Sequence, residues 1–338
     1  MSRDPALVIL SEEPLTAETR LSALDDVITP ASRFFVRSHF AAPPARDRLA
    51  VDGAVRASLA LSLSDLRALP SRTLEATIEC AGNGRGLFEP RVRGEPWGLG
   101  AVGTASWTGV ALRAVLERAD PAPGAIEVLC AGADQGDVPE LARRVAYERA
   151  LPIAKALHED TLIAYAMNGE PLPPDHGGPL RLVVPGWYGM ASVKWLTRIA
   201  VLTRPFRGFF QRERYVIDGR PLTTMSTRAL ITWPEDGDVL VRGRQMVRGY
   251  AWSGETAVLS VEVSVDGGAS WDRADLFGET RPYAWRPWRY EWDATAVRAV
   301  TLLARAYDAN GRGQPEQARR NTYGYANNSI QRVRVRVG

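Results

Sequence analysis

Cys80 closes an apolar run and opens a polar, glycine-rich one, in the order Thr77-Ile78-Glu79-Cys80-Ala81-Gly82-Asn83-Gly84-Arg85. A sulfur at a strand end, among small residues and near a guanidinium, has two chemistries open to it: nucleophile or soft metal ligand. It also fits the commoner fate of a free cysteine, an inert thiol packed as a small apolar group. Cationic residues recur in other loop-like stretches. Arg37 and His39 lie in Phe35-Val36-Arg37-Ser38-His39 before Pro43-Pro44, His176 and Arg181 in Asp175-His176-Gly177-Gly178-Pro179-Leu180-Arg181, and Lys194 in Val193-Lys194-Trp195-Leu196. Singly, each reads as a solvated charge or a capped turn. With Cys80 and Arg85 they would make a sulfur ligand beside an anion-binding wall, because guanidinium forks and ammonium charges suit planar oxyanions and phosphates.

Other chemistries find less support. Gly98-Leu99-Gly100-Ala101-Val102-Gly103 matches the dinucleotide pattern G-x-G-x-x-G, but Arg93-Gly94-Glu95-Pro96-Trp97 precedes it where a strand is needed. Two cysteines and 3 histidines show no zinc-ligand spacing. No phosphate-binding loop, HExxH or G-x-S-x-G occurs. A net charge of +3 on 42 basic and 39 acidic residues does not mark a nucleic-acid binder. Lysine occurs only at Lys155 and Lys194, so nearly all of those 42 basic residues are arginine. No apolar run reaches the roughly 18 residues that span a membrane. Residues 1–14 hold Asp4, Glu12 and Glu13 and no twin-arginine pair, so the expected location is cytoplasmic.

The elements that hold these residues follow from periodicity. Residues 63–69 open on Ser64-Asp65, a candidate cap, and predict a helix ending at Pro70. Residues 110–119 carry Val110, Leu112, Val115 and Leu116 at helical spacing, and residues 126–130 and 180–184 suit short buried strands. Residues 82–109 and 168–178 read as long irregular segments, the kind that carry function. Near residue 222 the composition shifts. Leu259, Val261, Val263 and Val265 alternate into Asp266-Gly267-Gly268, with Trp271 and Ala274 beyond, a β-hairpin signal. With further strands at 301–307 and 330–337, residues 223–338 predict a β-sandwich.

Taken in order, these segments resemble the sulfite oxidase family of molybdenum enzymes over nearly the whole chain. Ile78-Glu79-Cys80-Ala81-Gly82-Asn83-Gly84-Arg85 is similar to the family's "CAGNRR" loop. Thr29-Pro30 with Phe35-Val36-Arg37-Ser38-His39 resembles its "ITP…FxRNH" segment. Trp97 and Gly100 to Gly109 resemble "W…GAxSTAxWxG". Leu162-Ile163-Ala164-Tyr165-Ala166-Met167-Asn168-Gly169-Glu170-Pro171-Leu172-Pro173-Pro174-Asp175-His176-Gly177 is close to "LLAYxMNGxPLPxDHG". Two departures stand out: Gly84 replaces an arginine, and Gly186-Trp187-Tyr188-Gly189-Met190-Ala191-Ser192 lacks a basic pair found before the matching lysine of animal enzymes.

The resemblance implies an α+β chain. Residues 1–222 would form a mixed α/β molybdopterin-binding catalytic domain, and residues 223–338 an immunoglobulin-like dimerisation domain, giving a homodimer. It implies Cys80 as the molybdenum thiolate. Arg37, Arg85 and, from the second domain, Arg286 would form an oxyanion pocket, with Tyr215 beside the oxo group. His39, His176, Arg181 and Lys194 would contact the pterin and its phosphate. The implied reaction is sulfite oxidation, with electrons passed to dioxygen or a separate acceptor, since nothing resembles a haem domain. The alternatives are a nitrate or S-oxide reductase with the same cofactor, or a dimeric scaffold without catalysis.

Overall fold

The computed structural model describes residues 4–254 and 256–338. Strands dominate. The longest described helix, Leu112–Ala119, buries Leu112, Val115, Leu116 and Ala119 on one face at the spacing expected of an amphipathic helix. It starts two residues later than the sequence predicts, because Val110 is taken up by the preceding strand. The helix Leu63–Arg67 is capped by Ser62, not by the predicted Ser64-Asp65. Ser62 Oγ accepts from the Asp65 amide at 3.1 Å, and Asp65 returns the bond to the Ser62 amide at 2.8 Å.

The first part of the chain holds three larger sheets and a two-stranded ribbon, Val216–Ile217 with Arg220–Pro221. Leu7–Ser11, Thr16–Thr19 and Val36–Arg37 form a small antiparallel one. A second pairs Ser71–Glu79 with Val102–Ala111, which pairs in turn with Leu162–Met167; Glu170–Pro171 and Arg181–Val183 also pair with Leu162–Met167. The third runs Leu59–Ser62, Arg48–Gly53, Leu196–Leu202, Glu127–Val138, Arg143–Pro152, and its one parallel pair is Arg48–Gly53 with Leu196–Leu202. The end of the segment predicted to be irregular at 82–109, from Val102 onward, is therefore strand. Glu79 pairs with Val102, so residues 80–101 form one long excursion at the end of that ladder. The functional segment lies in this excursion.

Beyond Pro221 two sheets share one core. Arg228–Trp233, Gly243–Trp252, Arg286–Ala294 and Asp275–Leu276 face Val239–Leu240, Arg332–Val337, Arg298–Asp308, Val258–Ser264 and Asp272–Arg273. The predicted hairpin is present, with Val263 opposite Asp272 and Glu262 opposite Arg273. The larger core crosses between the two parts: Leu230, Tyr250, Trp252, Trp285 and Tyr325 pack with Met190, Tyr215 and Ala81 of the first. That shared packing brings C-terminal side chains to the Cys80 loop.

Candidate active site

Cys80 sits one residue past its strand, with its amide bonded to Ala101 O at 2.9 Å. Its side chain is 8% exposed and lines two adjoining chambers, which also share Arg37, His39 and Tyr215. Burial pushes the thiol pKa up, while the charges of Arg85 and Arg37 pull the other way. Burial thus opposes the thiolate unless something replaces the proton.

The outer chamber is lined by Arg85, Arg93, Arg214, Trp97, Tyr323 and Tyr325 besides the shared residues. Arg85 is buried. Its Nε donates to Tyr323 O at 2.6 Å, its Nη1 to Glu95 O at 3.0 Å, and its guanidinium lies over the Tyr325 ring at 5.2 Å. Arg37 reaches Glu95 at 3.6 Å, and Arg214 pairs with Glu140 and stacks over Tyr323 at 4.7 Å. The indole nitrogen of the fully buried Trp97 has no partner among the described residues. Fixed guanidinium groups and an unused N–H in a confined space are what an oxyanion needs.

The structure does not bring Arg286 to this chamber. Arg286 begins the strand Arg286–Ala294, in register with Ala251, and lines a separate small cavity with Ser253, Thr280 and Arg281. The contribution of the second domain is instead a pair of tyrosines, Tyr323 and Tyr325, and the further guanidinium groups beside Arg37 and Arg85 are Arg93 and Arg214 of the first. Arg214 adjoins Tyr215 in sequence, a signal that was available. Nothing local distinguishes Tyr323 and Tyr325, whose position depends on tertiary packing.

Tyr215 is held in the left-handed region at φ 55, where a bulky side chain is strained and needs surrounding structure to keep it there. Its hydroxyl lies 2.5 Å from His39 Nε2, and His39 Nδ1 lies 3.2 Å from Arg37 Nη2. Burial first, then Arg37, holds the His39 pKa well below its usual value, so the ring is neutral. A guanidinium only donates, so Nδ1 accepts and the ring proton sits on Nε2. His39 therefore donates to the Tyr215 oxygen, and the phenolic proton is left for the chamber.

The inner chamber gathers Ser38, Asp134, Asp175, His176, Arg181, Ser192 and Lys194. Lys194 Nζ donates to Ser38 Oγ at 2.7 Å and to Asp175 O at 3.0 Å. Arg181 donates from Nη1 to His176 O at 2.9 Å and from Nη2 to Ser192 O at 3.2 Å, but its Nε has no partner among the described residues. His176 Nε2 is 2.8 Å from Ala31 O, a contact that fixes the proton on that nitrogen. Burial drives Lys194 down to about 7 and Arg181 to about 9, and lifts Asp134 to about 7. Asp134 Oδ1 is likewise unpartnered.

Two family models divide the chain: an oxidoreductase molybdopterin-binding domain over residues 39–210, and a Mo-co oxidoreductase dimerisation domain over residues 220–338. Similarity to curated proteins runs the length of the chain. Mitochondrial sulfite oxidase of Mus musculus is 36% identical over 99% of this chain and 66% of its own length. Sulfite oxidase of Arabidopsis thaliana is 31% identical over 99% of this chain and 95% of its own. The chain belongs to the sulfite oxidase family. Among solved structures, the sulfane dehydrogenase SoxCD of Paracoccus pantotrophus superposes with a TM-score of 0.83 at 29% identity, covering 99% of this chain and 86% of that one. The chain spans about two thirds of the length of its mammalian relatives, 66% in the mouse protein.

As a member of the sulfite oxidase family, the chain is a molybdopterin oxidoreductase, and the inner chamber suits that cofactor on its own chemistry. Lys194, Arg181 and His176 face a space that supplies only the carboxylates Asp134 and Asp175 against them, and Arg181 Nε is an unused donor. A phosphate-bearing, hydrogen-bonding heterocycle supplies the missing anion and partners for the unused Arg181 donor and Asp134 acceptor. Sequence reading missed Asp134; its signal is an acid set within the apolar strand Glu127–Val138. The sulfur of Cys80 stands on the wall between the two chambers.

Proposed function

We propose that the chain oxidises sulfite to sulfate at a molybdenum centre ligated by the Cys80 thiolate, and works as a homodimer joined through residues 223–338, with an immunoglobulin-like fold in that domain. The observation that carries this reading is the position of Cys80 between a cationic inner chamber and an arginine–tyrosine outer chamber. When bound, the cofactor supplies the transferable oxygen and takes up the electron pair. Overall, sulfite and water would become sulfate with the release of two electrons and two protons.

The residues act by charge and position. Arg85 and Arg37 bind the dianion, the Trp97 N–H adds an uncharged donor, and Tyr215 offers its proton to the developing oxyanion. Arg181, Lys194 and His176 hold the phosphate and pterin, with His39 against the same ligand while it directs Tyr215. Electrons leave to dioxygen or to a separate acceptor.

The test begins with metal analysis of protein from a cofactor-competent host, followed by steady-state turnover of sulfite with a dye acceptor. Stoichiometric molybdenum and sulfite turnover that Cys80→Ala abolishes are expected. Turnover of nitrate or an S-oxide with reduced dye, and none of sulfite, would reassign the substrate. Stoichiometric metal retained in Cys80→Ala would remove the thiolate from the ligand set. Absence of molybdenum from the wild-type protein would leave a dimeric scaffold.

A further inference from the structure

The Cys80 loop is fastened to the second domain along its whole length. Glu79, immediately before Cys80, is 3% exposed, and its carboxylate accepts from Arg228 Nη1 at 2.9 Å, Trp252 Nε1 at 3.0 Å and Asn83 Nδ2 at 3.0 Å. Arg228 and Trp252 belong to the first two long strands of the C-terminal sandwich, and Arg228 is 2% exposed. Asn83 turns its own carbonyl to the Ala101 amide at 3.2 Å and so ties the loop to the far side of the excursion.

The backbone of the loop is held in the same way. Ala81 O accepts from the Ala326 amide at 2.9 Å, Gly84 O from Asn327 Nδ2 at 2.7 Å, and Arg85 Nε donates to Tyr323 O at 2.6 Å. The approach is close enough to dictate a residue type. Gly84 lies at φ +80, and a Cβ there would come within 3.2 Å of Arg228 and 3.3 Å of Asn327. The glycine that departs from the family's loop pattern therefore stands where the second domain presses on the loop.

We infer that Glu79 and Arg228 are positioning residues: their buried ion pair latches the C-terminal domain onto the Cys80 loop and sets the direction of the sulfur. Neither lines the chambers. A buried carboxylate with three donors is satisfied; withdrawing Arg228 removes its one charged donor among them and the ion pair that joins loop to domain, so the loop is released to turn Glu79 toward solvent. Cys80, the next residue, moves with it. The consequence for molybdenum rests on the reading of Cys80 as its ligand; the consequence for the loop does not.

Alkylation of the two thiols in the cofactor-free 338-residue chain, resolved by peptide mass spectrometry, tests the latch. Cys130 is fully buried in the strand Glu127–Val138 and serves as an internal control. In Arg228→Met, Cys80 is expected to react faster by roughly tenfold or more while Cys130 keeps its wild-type rate, as local opening demands. Arg228→Lys, which retains the charge, should recover part of the protection. Trp252→Phe keeps the aromatic volume, removes one bond to Glu79 and should give a smaller rise confined to Cys80. Cys80 unchanged in both Arg228→Met and Trp252→Phe would overturn the latch. So would Cys80 and Cys130 rising together, which would make the pair a support of the whole fold. Molybdenum in wild-type protein from a cofactor-competent host is measured alongside; its absence would defeat the metal reading and leave the alkylation result standing.

Discussion

At the scale of single residues, donor and acceptor counting decides what the shared wall can do. Arg37 cannot accept a hydrogen bond, so its contact with His39 Nδ1 forces the ring proton onto Nε2, and Tyr215 receives it. Only this order leaves the phenol able to donate into the chamber. Burial raises the Tyr215 pKa well above its usual value, so the proton is held and offered as a hydrogen bond without being released. Tyr215→Phe should therefore lower kcat/KM for sulfite by about 100-fold, the order found when one oxyanion donor is removed, with metal content unchanged. His39→Phe should also lose activity, by a different route, because it removes the link from Arg37 Nη2 to the phenol and unlocks Tyr215. Wild-type kcat/KM in Tyr215→Phe, measured by steady-state assay with a dye acceptor, would show that the hydroxyl takes no part.

Among the elements, the sequence was legible where side-chain alternation was clean and opaque where glycine interrupted it. The hairpin through Asp266-Gly267-Gly268 follows from Val261 and Val263 alternating into a turn, and Asp266 fastens that turn through Ser264 and Ser270. The strand Val102–Ala111 contains Gly103 and Gly109, which hid its period. Gly109 is there for closeness: a Cβ would fall 2.1 Å from Ile163 O in the neighbouring strand. Gly109→Val should cost at least about 2 kcal/mol of unfolding free energy by forcing those strands apart, despite valine's preference for sheets. Urea unfolding checks this, and an unchanged midpoint would mean the strands do not approach as closely as described. Site residues divide in the same way. Cys80, Arg85, His176 and Lys194 stand at strand ends or turns inside recognisable segments, whereas Tyr323 and Tyr325 reach the site only because the C-terminal domain packs on the loop. Arg286 failed for the converse reason: its Trp-Arg-Pro-Trp neighbourhood is distinctive, but strand register holds it beside Ala251.

For the molecule as a whole, the inner chamber makes folding and cofactor binding one problem. Without an anion, burial lowers Lys194 from 10.5 to about 7 and His176 from 6.5 to about 4. Both folded-state values lie below the unfolded ones, so the unfolded chain binds more protons in each window and stability rises with pH there. For Lys194 the penalty is absent above pH 10.5, accumulates as pH falls toward 7, and is complete below it. Allowing for partial exposure of the side chain, it is on the order of 3 kcal/mol. A phosphate in the chamber restores the ammonium and removes that slope. The melting temperature of the cofactor-free chain should thus climb between pH 7 and 9.5, while that of the loaded protein stays level, so the gap between them is widest near neutrality. Lys194→Met should flatten the cofactor-free profile over the same range, and its melting temperature at pH 7 should exceed that of the cofactor-free wild type. A wild-type profile already level between pH 7 and 9.5 would mean that Lys194 is neutralised within the protein, and that the chamber has no need of an anion.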